Sequence, residues 1–279
     1  MVQIITDSSS THTVEQAKAL GFESLPLCVS IGDMEGRDLQ VDMEDFYKRI
    51  REGQIPHSSQ PPIGEVMDMY EKYKDDEIIN IAMADGLSGT YQSACGAKEM
   101  VEDNENIHVF NTRTLCGPHR YMVETAQKMK EEGKSAAEIL EWLNHTADNA
   151  ESFLIPQDFG FLKRGGRLTP VAATFASVLK LKPVMTQVEE GRRLDKFCMA
   201  RTMNAAAKNL VEHFKSKGVD EKYIIYVSHA DALNDAQFII KKMEEAFPNT
   251  EVVMQDLGPA FVTQGGPQCV AIQYVLKRG

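Results

Sequence analysis

Ile78–Ile79–Asn80–Ile81–Ala82–Met83–Ala84 runs directly into Asp85–Gly86–Leu87–Ser88–Gly89–Thr90–Tyr91–Gln92–Ser93–Ala94, and this junction decides the fold class. The first seven residues form an apolar run of the length expected for a strand buried on both faces. Past the turn, Tyr91, Ala94, Ala97, Lys98 and Val101 recur at helical spacing. Strand, small-residue turn and helix in immediate succession are the repeating unit of a parallel sheet. The same order places Ser88, Gly89 and Thr90 at the carboxyl end of a strand and the positive end of a helix. Hydroxyls and open N–H groups in that position suit one anionic group.

Working outward, an opening strand over 2–6 leads into the polar turn Asp7–Ser8–Ser9–Ser10, and a helix carried by Val14, Ala17 and Leu20 ends at Gly21. A second strand is expected over 24–31, and Asp42 caps the next helix. The hydroxyl-rich loop His57–Ser58–Ser59–Gln60–Pro61–Pro62 then precedes a helix with Ile63, Val66, Met67 and Tyr70 along one side. A strand over 107–110, a helix over 117–132 and another opened by the capping box Ser135–Ala136–Ala137–Glu138 continue the alternation. This predicts an N-terminal three-layer α/β/α domain with a parallel sheet over residues 1–155.

From residue 156 the texture changes. Phe161–Leu162–Lys163–Arg164–Gly165–Gly166–Arg167–Leu168 reads as a basic loop, and Thr169–Pro170 opens an apolar helix toward 181 with Val171, Phe175, Val178 and Leu179. Strands over 184–188 and 194–199 flank Glu189–Glu190–Gly191–Arg192 as a hairpin. Helices over 202–217 and 233–247 and strands over 223–228, 251–255 and 269–276 follow. The second domain, 156–279, is expected to be α/β with a mixed sheet and helices on one face.

Of the 279 residues 43% are hydrophobic and 25% charged, the balance of an ordinary globular chain. A formal net charge of −11 opposes binding to nucleic acid or an anionic membrane surface. No apolar run approaches the ~20 residues of a membrane span, and the N-terminus begins a strand without a basic leader. Cys28, Cys95, Cys116, Cys198 and Cys269 are scattered without a CxxC, which fits reduced thiols in a cytoplasm. No histidine pair has metal-ligand spacing, so no metal is expected. The phosphate-loop pattern is absent, so neither ATP nor another cofactor is expected to bind unaided.

Gly86–Leu87–Ser88–Gly89–Thr90 nearly matches G-x-S-x-G. A serine esterase or thioesterase using Ser88 with His229 and nearby Asp231 is therefore the enzymatic alternative, although two partners on one loop do not make the triad geometry. Anion capture is the stronger reading. Ser58 and Ser59 supply a second hydroxyl segment, and no lysine or arginine accompanies either one. Two such segments suit a small monoanion such as a carboxylate, held by charge-assisted hydrogen bonds. Arg167, in the one cationic cluster, suits a phosphoryl group or an acidic partner.

Four motifs in this order resemble those of the DegV family: Thr6–Asp7–Ser8–Ser9–Ser10, Ser58–Ser59–Gln60–Pro61, Leu87–Ser88–Gly89–Thr90–Tyr91–Gln92–Ser93–Ala94 and Leu162–Lys163–Arg164–Gly165–Gly166–Arg167–Leu168. The resemblance spans essentially the whole chain. It implies a bacterial fatty-acid-binding protein of phospholipid metabolism, in some members the acyl-carrying subunit of fatty acid kinase. There a kinase subunit brings ATP and converts the bound carboxylate to an acyl phosphate. It also implies a carboxylate presented at the domain junction and an apolar tunnel to which residues 156–279 contribute. Position by position, Ser58 stands where the family usually has threonine before Ser-Gln-Pro, and Ser88 matches the serine of Ser-Gly-Thr. Both are expected to hold the carboxylate, with Thr90, Ser93 and Gln264 as lesser contacts. Arg167 matches the arginine of Gly-Gly-Arg, near where the kinase subunit docks. Gln264–Gly265–Gly266–Pro267–Gln268 departs from the family's His-x-Gly-Pro-Gly, and a glutamine can donate a hydrogen bond but cannot become cationic. The 14 methionines and the helix opened at Thr169 are expected to supply flexible apolar lining. The expectation is a cytoplasmic, non-catalytic lipid-binding protein whose ligand is a long-chain fatty acid. A carrier or sensor of another small apolar carboxylate is the remaining alternative.

Overall fold

In the computed structural model, which describes residues 1–175 and 181–279, the chain divides into two compact units, Met1–Asp148 and Asn149–Gly279. The strands of the first are β1 (Val2–Asp7), β2 (Glu23–Leu25), β3 (Cys28–Ile31), β4 (Met34–Arg37), β5 (Pro56–Ser59), β6 (Glu77–Ala82) and β7 (Ile107–Asn111). Its helices are α1 (Val14–Leu20), α2 (Met43–Arg51), α3 (Ile63–Lys72), α4 (Thr90–Met100), α5 (Cys116–Glu131) and α6 (Ala136–Asp148). The main sheet is fully parallel, in the order β2-β1-β6-β7.

Successive residues of β1 and β6 face opposite ways, as the pleat requires. Ile4, Ile79 and Ile81 pack under α1, α5 and α6 with Ala17, Met122, Val123 and Ile139. Ile5 and Ile78 pack under α3 and α4 with Val66, Tyr70, Ala94 and Ala97. Each wholly buried isoleucine contributes about 1.5–3 kcal/mol, so both faces of the sheet are strongly held. The expected three layers are present. The expected caps are present: Asp42 accepts the Glu44 and Asp45 N–H groups, and Ser135 and Glu138 form the capping box, while Thr13 and Gln16 form another at α1.

Two expectations for this unit are corrected. The strand expected over 24–31 is two strands, β2 parallel to β1 and β3 in a separate antiparallel sheet of order β4-β3-β5. Pro26 lies between them, and a residue without an N–H cannot continue a ladder. The segment expected as a hydroxyl loop is likewise β5, an edge strand of that small sheet.

The second unit contains β8 (Ala150–Ile155), β9 (Lys182–Val188), β10 (Arg193–Ala200), β11 (Tyr223–His229), β12 (Glu251–Asp256) and β13 (Val270–Leu276). With them come α7 (Phe159–Gly165), α8 (Met203–Ser216), α9 (Leu233–Ala246) and α10 (Pro259–Gly265). The sheet is mixed, in the order β10-β9-β8-β13-β11-β12, and only β11 and β12 pair in parallel. Because β8 pairs with β13, it belongs to this unit, and the division falls at Asp148/Asn149 instead of at 155/156.

Phe153, Ile155 and Val184 join Leu210, Phe214, Ile239 and Met243 beneath α8 and α9. The intervening Leu154 and Met185 face the other way and meet Leu162 and Leu168. Helices were expected on one face alone, but α7 covers part of the second. The segment expected as a basic loop is mostly this helix. Asp158 caps it by accepting the Gly160 N–H at 2.8 Å, and Gly166 ends it at φ +71°. A short 3-10 turn, Ala172–Phe175, stands where the apolar helix was expected to begin, and Val178 and Leu179 lie outside the described residues. Among the described residues, no helix is long and apolar enough to cross a membrane, and no group of three or more His, Cys, Asp or Glu side chains is placed to hold a metal.

Candidate carboxylate-binding site

The turn after β6 is fixed from both sides. The Met83 N–H donates to Asp7 Oδ2 at 2.9 Å, the Ala84 N–H to the Thr114 carbonyl at 2.9 Å, and the Asp85 N–H to Asn111 Oδ1 at 3.1 Å. Gly86 then reverses the chain at φ +84°, a region open to glycine at little cost. Helix α4 starts at Thr90, as its spacing predicted, with Gly89 in the capping position and so no cap from that residue's side chain. The Ser88 and Thr90 hydroxyls lie 2.8 Å apart, and the Thr90 N–H donates to Ser88 Oγ at 3.3 Å. Whichever hydroxyl donates within that pair, the other keeps its O–H for an incoming acceptor. Ser93 sits one turn further along α4.

Ser58, the other expected contact, lies on β5. In the small sheet Val29 pairs with Ser58 and Ile31 with Pro56, so these four share one face. That face is the apolar one, with Val29 and Ile31 both buried. Ser59 pairs with Cys28, itself opposite Arg37, and His57 pairs with Ser30 on the exposed face. The two serines are adjacent in sequence yet look in opposite directions, and only Ser58 faces apolar surroundings. The end of β5 is held against the Ser88 turn by Gln60. A Cβ placed on Gly89 would lie 2.8 Å from Gln60 Oε1. Helices α3 and α4 meet beyond that point. Tyr70 donates its hydroxyl to the Ala94 carbonyl at 3.3 Å and accepts from Asn80 Nδ2 at 2.7 Å. Ser58, Ser88, Thr90 and Ser93 therefore all belong to the β5–α3 and β6–α4 segments that these contacts join.

The first serine-rich motif is interior scaffolding. Asp7 accepts the Ser9 N–H as well as that of Met83, and Ser8 donates to Asp38 Oδ2 at 2.6 Å. His119, on α5, is wholly buried. Its Nε2 lies 3.0 Å from both the Ile81 carbonyl and Thr6 Oγ1, and its Nδ1 lies 2.8 Å from Ser9 Oγ. These partners assign the proton to Nε2 and let Nδ1 accept from Ser9. Burial holds the His119 pKa below its ordinary value, against the pull of Asp7. His12 is buried beside it, with Nε2 3.0 Å from Glu124 Oε1. Its pKa is also lowered by burial, and the Glu124 hydrogen bond opposes that shift. Sequence reasoning missed this network because its members lie up to 113 residues apart and share no spacing.

In the second unit, Gln264 ends α10 against α7. A Cβ on Gly165 would overlap Gln264 Oε1, and one on Gly266 would lie 2.9 Å from the Phe161 ring. Gln264 and the Gly165–Gly166–Arg167 segment, about a hundred residues apart in sequence, are thus neighbours. Arg167 donates to the Gly165 carbonyl, and Arg193 Nη1 donates to the Gly166 carbonyl at 2.9 Å. Burial, then the charge of Arg193, lowers the Arg167 pKa, which leaves a guanidinium still charged at neutral pH. His229 accepts the Ala232 N–H at Nδ1, at 3.4 Å, and turns Nε2 toward Asp256 Oδ1 at 3.5 Å.

Comparison with known proteins identifies the family. The family model described as "Uncharacterised protein, DegV family" matches residues 1–277. A DegV domain-containing protein of Staphylococcus aureus is 32% identical over 249 residues, 88% of each chain. The crystal structure of DegV from Bacillus subtilis, described as a fatty acid binding protein, is 27% identical, covers 99% of both chains and superposes with a TM-score of 0.84. A DegV family protein of Thermus thermophilus, 24% identical over 99% of both chains, shares the fold with a TM-score of 0.89.

Proposed function

Because this chain belongs to the DegV family, we propose that it binds a long-chain fatty acid, with the carboxylate held by the hydroxyls of Ser58 and Ser88. Thr90 and Ser93 assist from α4. The observation that supports the reading is the contact of Gln60 on Gly89, which joins the two hydroxyl-bearing segments. Ser58 looks out from an apolar sheet face, and the Ser88–Thr90 pair sits on the turn against which Gln60 holds that strand. The relative from Bacillus subtilis, described as a fatty acid binding protein, supports the choice of ligand.

The energetics agree. Burying an acyl chain gains roughly 0.8 kcal/mol per methylene, so about fifteen methylenes supply on the order of 12 kcal/mol before association costs. The head group need only escape the desolvation penalty, which neutral hydroxyls accomplish. On the family pattern, Gln264 adds a carboxylate donor and Arg167 meets an ATP-bearing kinase subunit that phosphorylates the presented carboxylate. The chain itself is then a carrier and not a catalyst. No metal or other cofactor takes part in this reading, and the setting is cytoplasmic.

Native mass spectrometry of the purified protein tests the proposal. A co-purifying long-chain fatty acid is expected, at much reduced occupancy in the Ser58→Ala/Ser88→Ala variant and at full occupancy in Ser59→Ala. A consistently empty protein, or labelling of Ser88 by an activated-serine probe, overturns it.

A further inference from the structure

Gly89 poses a question that its own backbone does not answer. Its φ of −75° and ψ of 0° are open to any residue, and it occupies the capping position of α4, where serine or aspartate would satisfy a helix N–H. The chain forgoes that cap. What a side chain at 89 would meet is Gln60, with Oε1 at 2.8 Å, Cδ at 3.3 Å and Nε2 at 3.7 Å from the position of a Cβ. Gln60 in turn lies two residues beyond Ser58, the spacing at which side chains leave an extended segment on the same side. It precedes Pro61, which restricts its backbone to extended conformations. Helix α3 follows at once and is seated on α4 at two further points. Ile63 Cδ1 would lie 3.8 Å from a Cβ on Gly96, and Tyr70 donates to the Ala94 carbonyl.

We infer that Gln60 is a positioning residue whose carboxamide, laid on the bare backbone of Gly89, sets the distance between Ser58 and the Ser88–Thr90 hydroxyl pair. The inference rests on the reading of those hydroxyls as the carboxylate contacts. Two helices already locked further along need one more contact at their ligand-facing ends to hold donors in place, and Gln60 with Gly89 supplies it. Groups that bind one small anion jointly must be held to within about half an ångström. Gln60 is exposed, so its removal leaves no cavity, and its effect should appear in binding and not in folding.

The test is a double-mutant cycle read by displacement of a fluorescent fatty acid analogue from delipidated protein, with thermal unfolding measured alongside. Gln60→Ala and Gly89→Ala should each weaken binding roughly five- to tenfold, the scale of coupling between residues in contact. The Gln60→Ala/Gly89→Ala double variant should bind no more weakly than either single one, because both changes break the same contact. The unliganded Tm of Gln60→Ala should stay at the wild-type value. Unchanged affinity in Gln60→Ala, or single effects that multiply in the double variant, overturns the inference. Ser88→Ala separates the two levels. If it weakens binding and Gln60→Ala does not, only the positioning role fails. If Ser88→Ala binds as tightly as wild type, the carboxylate reading fails and takes this inference with it.

Discussion

At the scale of single residues, this chain keeps two histidines neutral in its interior. His119 and His12 are both buried, and burial depresses both pKa values against Asp7 beside the first and Glu124 beside the second, where the charge of Arg120 adds to the lowering. The unfolded chain takes up those protons near 6.5, while the folded one resists until lower pH, so the unfolded state binds more protons through that window. Stability is therefore complete above about pH 6.5 and falls as the pH drops below it, by up to about 1.4 kcal/mol per pH unit for each histidine. Glu124, held below the usual carboxylate range by His12 and Arg120, adds its own loss only below about 4.5. Urea unfolding at pH 7.5, 6.5 and 5.5 checks this, and equal midpoints at all three would refute it. The same scale shows what a chain of letters conveys. Ser88 and Thr90 are two residues apart, and their pairing follows from local turn and helix geometry. Ser58 differs from Ser59 only through strand register, which depends on Val29 and Cys28 nearly thirty residues earlier. His119 meets Thr6 and Ser9 only after α5 docks on β1, and nothing local announces that.

At the scale of elements, segments with a clear apolar period were legible, down to the seven residues of α1, and those without one were not. Helices α3, α4, α5 and α8 follow their apolar spacing. Helix α7 carries glycines at 160 and 165 and two basic residues, which read as a loop, although Asp158 two residues before Gly160 is a capping signal. Pro26 was equally visible as the break between β2 and β3. The α3–α4 pair carries a prediction of its own. Tyr70 is fully buried, and its hydroxyl joins the Ala94 carbonyl to Asn80 Nδ2. Tyr70→Phe strands the Asn80 amide and should cost about 1–2 kcal/mol of stability. Because α3 and α4 flank the Ser88 turn, the same variant should release fatty acid faster. Chemical denaturation with stopped-flow displacement measures both effects, and an unaltered off-rate would disconnect the helix pair from binding.

At the scale of the whole molecule, the fold class was readable because strands and helices alternate through most of the first unit and a hairpin marks the mixed sheet of the second, whereas the division between units was displaced by one strand. Strand β8 follows the first unit in sequence, but its partner β13 begins more than a hundred residues later, and local pattern carries no trace of so distant a pairing. If a fatty acid is the natural ligand, stripping it should lower the Tm, since a ligand at a hundred times its Kd stabilises by about 2.7 kcal/mol. Calorimetry before and after delipidation, with re-addition of the lipid, reads this directly, and an unmoved transition would count against occupancy. The pairing of β8 with β13 also bears on how the protein is made. Ile155 must wait for Val270, 115 residues further on (270 − 155), which at ribosomal rates of ~5–20 residues per second is a delay of about 6–23 s. For that interval Phe153 and Ile155, both destined for the interior, stand in the nascent chain with one edge unclaimed. Chaperone capture should therefore concentrate on this strand during synthesis.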